Sequence, residues 1–119
     1  MSIDTGAMAY DEALADRLRE QVADLAPHAT EKKMFGGLAF LVGGNMAVAA
    51  SGEGGVMLRC APAETSRLMD ELGAEPMVMR GRTMHGWLRV DDERLLDDEA
   101  LARWVRVGVD YAASLPSKG

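Results

Sequence analysis

Cys60, His28 and His85 are the side chains of this sequence best suited to covalent or proton-transfer chemistry near neutral pH. A cysteine nucleophile needs a thiolate, held by a nearby base or cation. Cys60 follows Val56 and Leu58 at the two-residue spacing of a strand face, which predicts a buried and unreactive thiol. His28 comes just after Pro27, at the end of a helical pattern, and is expected to face solvent. His85 precedes Gly86 in a loop or at a strand start. Neither His-Glu-x-x-His nor Cys-x-x-Cys spacing occurs, so no metal site and no cofactor are expected. The acidic runs Asp91-Asp92-Glu93 and Asp97-Asp98-Glu99 lack the glycine and spacing of a calcium loop, and they suit a helix N-terminus better. The pairs Gly36-Gly37 and Gly43-Gly44 neither lead into a helix nor precede Gly-Lys-Ser/Thr, which excludes a phosphate loop. Ser51, Ser66 and Ser114 stand in no nucleophile elbow. The expectation is a protein that is not an enzyme. A small-molecule or minor enzymatic role through Cys60 or His85 is the remotest alternative.

Binding residues are more plentiful. Of nine methionines, Met34, Met46, Met57, Met77, Met79 and Met84 lie in or beside strand-like segments, where soft side chains fill irregular cores or adaptable surfaces. Lys32, Lys33, Arg59, Arg80, Arg82 and Arg89 would form a basic stripe if their strands were neighbours. Direct nucleic-acid binding through that stripe is therefore one alternative, and solvated edge cations that block aggregation are the other. The charge balance speaks against a duplex binder. Residues 1–29 carry six acids against two bases, residues 30–90 seven bases against six acids, and residues 91–119 seven acids against four bases, for a net charge of −6.

These residues must be positioned by an alternation of helices and strands. Leu14, Leu18, Val22 and Leu25 make one helical stripe, opened by Asp11 and Glu12 and stopped by Pro27. Residues 33–42 read as one bent strand broken at Gly36-Gly37, a place for a bulge or a close backbone approach. Gly43-Gly44-Asn45 signals a hairpin, and Ser51-Gly52-Glu53-Gly54-Gly55 a longer turn. Between them Met46, Val48 and Ala50 are expected on one face, with Ala47 and Ala49 on the other. Residues 56–60 form the next strand. Pro62 opens a short helix with Leu68, Met69 and Leu72 inward and Gly73 as its stop. Met77-Val78-Met79, the turn Arg80-Gly81-Arg82 and residues 86–90 follow. A final helix begins at Asp97-Asp98-Glu99, turns Leu101, Trp104, Val105, Gly108, Ala112 and Leu115 inward, and ends at Pro116.

The order α-β-β-β-α-β-β-α predicts an α+β two-layer sandwich, with a mostly antiparallel five-stranded sheet and its helices on one face. The small and apolar residues left on the other face suggest a homodimer through that face or a strand edge. The 119 residues suffice for one domain, expected over residues 9–118 behind a frayed tail at residues 1–8, with Met8 as a second start. A single cysteine, no signal peptide and no long apolar run point to the cytoplasm, with no membrane partner.

Glu31-Lys32-Lys33-Met34-Phe35-Gly36-Gly37-Leu38-Ala39-Phe40 resembles the signature of the TfoX/Sxy N-terminal domain family. Met8-Ala9-Tyr10-Asp11-Glu12, Gly44-Asn45-Met46, Met57-Leu58-Arg59, Arg82-Thr83-Met84-His85-Gly86-Trp87 and Ser114-Leu115-Pro116 are similar in the same order. The resemblance implies the two-layer fold shared with secretion-chaperone-like domains and no catalytic residue set. It also implies kinship with competence regulators that assist a cyclic-AMP-dependent activator at promoters. Those regulators add a helical C-terminal domain, so the likeness here is to the N-terminal domain standing alone. The expected role is a regulatory module acting by contact with a protein partner, through a surface around Lys33, Phe35, Gly36, Gly37 and Trp87.

Overall fold

The computed structural model describes residues 10–34, 36–52, 54–72 and 74–117. Asp11 starts the first helix: its carboxylate accepts from the N–H groups of Ala13 and Leu14 at 2.9 and 3.2 Å, donors that no residue inside the helix can satisfy. This helix, α1, runs Glu12–Leu25 and buries Leu14, Ala15, Leu18 and Val22. Four strands follow: β1 (Thr30–Met34), β2 (Gly37–Val42), β3 (Asn45–Ala50) and β4 (Val56–Arg59). A 3₁₀ turn over Pro62–Glu64 leads into α2 (Thr65–Leu72), then β5 (Glu75–Met79) and β6 (Arg82–Val90). A second 3₁₀ turn over Asp92–Leu95 precedes α3 (Asp98–Ser114), whose N-cap Asp97 accepts from Glu99 N–H at 3.2 Å.

The strands form one antiparallel sheet in the order β1-β2-β3-β4-β6-β5. It has six strands rather than five, because the ribbon expected over residues 33–42 reverses instead of bending. Gly36 takes a φ of +74°, and Met34 pairs with Gly37 across a tight turn. The close approach expected at the glycine pair is real: a Cβ on Gly37 would stand 2.2 Å from the Ala50 carbonyl oxygen. The β2–β3 hairpin turns on Gly43 and Gly44, at φ +60° and +82°, the left-handed pair that a two-residue turn needs.

Alternation over residues 46–50 also departs from expectation. Phe40 pairs with Val48 but Leu41 pairs with Met46, so Ala47 is an extra residue in β3. A bulge of this kind turns two successive side chains to one side. Ala47 joins Val48 in the core beneath the helices, and Met46 joins Ala39 and Ala49 on the opposite face.

All three helices pack on one face, where Leu18, Leu68, Leu101 and Val105 meet Phe40, Val48, Leu58 and Leu88. Helix α3 lies close to the sheet because Gly108 faces β3; a Cβ there would stand 2.4 Å from the Ala47 carbonyl oxygen. Leu115, expected inward, is half-buried just past the end of α3. The tail expected at residues 1–8, the stop at Gly73 and Lys118 lie outside the described residues.

Candidate functional site

Strand alternation leaves the second face of the sheet to the residues between the core positions. One complete row of Cα partners crosses all six strands: Lys32, Ala39, Ala49, Met57, Arg89 and Glu75. A neighbouring row holds Thr30, Leu41 and Met46 on β1–β3, and Arg59 with Trp87 on β4 and β6. Ala39, Met46 and Ala49 form a buried floor, with Met34, Leu41, Met57 and Trp87 half-buried around it. No described helix packs on this floor, and α3 reaches its border through Tyr111. The result is a low apolar centre with Lys32 near one edge, and Arg89 and Glu75 at the other.

Arg59 lies at the border of this face. Pairing between β3 and β4 ends at Val48 and Leu58, and Arg59 lies one residue beyond. Its guanidinium carbon is 5.3 Å from the centroid of the Trp87 ring and 5.3 Å from that of Tyr111 on α3. Each such contact contributes about 0.5–1 kcal/mol. The Nε atom is buried without a hydrogen-bond partner, and among the described residues no carboxylate forms an ion pair with this arginine.

Beside Tyr111, an open cavity of about 360 Å³ runs between α2 and α3, with Cys60, Leu68, Val107 and Asp110 among its walls. Cys60 is 1% exposed. Its Sγ lies 3.7 Å from Thr65 Oγ1. Burial pushes the thiol above its ordinary range, and the nearby Glu64 charge adds to this while the Thr65 hydrogen bond opposes it. A thiolate nucleophile is thus disfavoured by its surroundings. His28 and His85 are both exposed. Among the described residues no group of three or more His, Cys, Asp or Glu side chains is placed to hold a metal ion.

The surface expected around Lys33, Phe35, Gly36, Gly37 and Trp87 is not one surface. Lys33 pairs with Leu38 and so points to the helix side, whereas Trp87 belongs to the opposite face. Their strands are also separated by four strand spacings, roughly 19 Å. Gly36 lies exposed in the turn and Gly37 is buried against Ala50; Phe35 lies outside the described residues. The basic residues are equally divided. Lys32 and Lys33 sit on edge strand β1, Arg80 and Arg82 flank the β5–β6 turn at the other edge, and Arg59 and Arg89 lie between on β4 and β6. No charged residue occurs in β2 or β3, so the stripe is interrupted.

Sequence reasoning missed Tyr111 and Glu75. Tyr111 follows Gly108 by three residues on α3, a spacing that places it beside the core-facing stripe but says nothing about Arg59. Glu75 is lateral neighbour to Arg89 only because β5 adds outside β6.

The family model described as TfoX N-terminal domain matches residues 20–112 of the 119. No curated protein matches the chain. Among the described residues, no helix is long and apolar enough to cross a membrane.

Proposed function

The chain belongs to the TfoX N-terminal domain family, and from that premise we propose a non-enzymatic regulatory module of the cytoplasm that works by protein contact through the sheet face opposite its helices. The observation that carries this reading is the grouping of Met34, Leu41, Met57 and Trp87, half-buried around an alanine floor, on a face that no described helix covers. Apolar groups gathered on one side gain from being covered. Methionines adapt to the shape of a partner, and a tryptophan supplies a rigid anchor. Arg59, its Nε buried and its guanidinium held against two rings, stands ready to meet an acceptor at lower ordering cost than a free arginine. Control of competence or transcription fits the family, with the module acting as co-regulator rather than as a catalyst. The buried, unpaired Cys60 agrees with a reducing compartment.

The test is a photo-crosslinking amino acid placed at Met57 and activated in living cells. A discrete protein adduct that weakens when Trp87 is changed to Ala is the expected result. Adducts to nucleic acid alone, or none at any face position, would overturn protein contact.

A further inference from the structure

The row Lys32, Ala39, Ala49, Met57, Arg89, Glu75 reads as its own complement. A two-fold axis parallel to the strands, passing between β3 and β4, lays one sheet face on another with the row reversed. Lys32 then stands opposite the partner's Glu75 at both ends of the interface. Ala49 stands opposite the partner's Met57 and Ala39 opposite the partner's Arg89, small positions against long ones. In the neighbouring row Leu41 meets the partner's Trp87. The other two-fold axis in this face, along the row, would stack Lys32 on Lys32 and Glu75 on Glu75, so charge selects one arrangement. We propose that the surface assigned above to protein contact binds a second copy of this chain, as an isologous dimer with sheet face on sheet face and Lys32 paired to the partner's Glu75. The inference rests on that assignment and names its partner.

Three observations favour a second copy over a heterologous acidic or basic segment. First, the row holds one acid, Glu75, at the β5 edge, and one cation, Lys32, at the β1 edge, so a reversed copy sets the acid of each chain against the edge lysine of the other. Second, Lys32 and Glu75 are exposed, and among the described residues neither forms an ion pair within the chain. Third, the centre is apolar and low, with Met34, Leu41, Met57 and Trp87 half-buried around a buried alanine floor, as two sheets packed about 10 Å apart require.

The decisive measurement is mass in solution as a function of concentration, by sedimentation. The wild-type chain is expected to dimerise, and more weakly as salt rises. Lys32→Glu and Glu75→Lys each place like charges at both ends of the interface, which should weaken the dimer by about tenfold or more. Mixing the two single variants restores opposite charges at both ends of the mixed pair, so a heterodimer should form where neither variant pairs with itself. Leu41→Asn, which leaves the charges in place, should weaken the dimer as well. A monomeric wild-type chain overturns the proposal, as does a dimer indifferent to these changes or a mixture that stays monomeric. A monomer that still crosslinks to another protein through Met57 would sink self-pairing alone and leave the contact reading intact.

Discussion

Thr65 Oγ1 accepts a hydrogen bond from the Gly86 N–H at 2.9 Å, buried and 21 residues away in sequence. Gly86 in turn accepts from Cys60 N–H through its carbonyl, also at 2.9 Å. One hydroxyl thereby ties the start of α2 to β6 at the point where β6 runs unpaired beside β5, between Met84 and Leu88. Gly86 sits at φ +89°, and a Cβ there would meet the Cys60 carbonyl oxygen at 3.2 Å. Trp87, the next residue, follows this anchored kink onto the sheet face opposite the core.

Thr65→Val keeps the shape of the side chain and removes the acceptor. A buried N–H left without a partner costs about 1–3 kcal/mol, so chemical denaturation should show a loss of that size. Thr65→Ser should recover most of it.

The raised thiol of Cys60 has a direct readout. With burial disfavouring the thiolate, an aromatic disulfide reagent at pH 8 should modify the folded protein about a hundredfold more slowly than the denatured chain. Rapid modification of the native state would contradict the burial of Cys60.

Arg59 carries opposing contributions. Its buried Nε without a partner costs about 1–3 kcal/mol, whereas contacts to two rings contribute about 0.5–1 kcal/mol each. These nearly cancel. Arg59→Met should therefore change stability by less than about 1 kcal/mol, measured by urea unfolding, while lowering the yield of crosslinked partner. A large loss of stability would mean that the arginine is structural.

Arg19 joins α1 to β1 by donating to Glu31 at 2.5 and 3.0 Å. That hydrogen bond, with the charge of Arg19, holds the Glu31 carboxyl below its usual range, against the smaller opposing effect of burial. A depressed carboxylate contributes stability above its unfolded pKa, and the contribution disappears as pH falls through the folded value. Both side chains are substantially exposed, at 45% and 38%, which limits the effect to about 0.2–1 kcal/mol. Glu31→Gln should be less stable than wild type by that amount at pH 7 and indistinguishable from it near pH 2, as followed by thermal unfolding at low salt.

Where one residue's neighbours along the chain decide its geometry, the amino-acid sequence determined the outcome by itself. The stripe Leu14, Leu18, Val22, the cap at Asp97, the Gly43-Gly44 turn and the buried Cys60 all follow from helical period, unsatisfied terminal N–H groups, left-handed φ and strand alternation. The reversal at Gly36 and the bulge at Ala47 were not legible, because a bent strand and a hairpin, or a regular and a bulged ladder, share the same apolar pattern over a few residues. Only the tertiary structure set Arg59 between Trp87 and Tyr111 and aligned Lys32 with Glu75. Those neighbours are separated by tens of residues, and what brings them together is lateral hydrogen-bond register across six strands, including the insertion of β6 between β4 and β5. Register depends on how whole segments bury their core faces against α1, α2 and α3, and no local stretch of sequence contains that information.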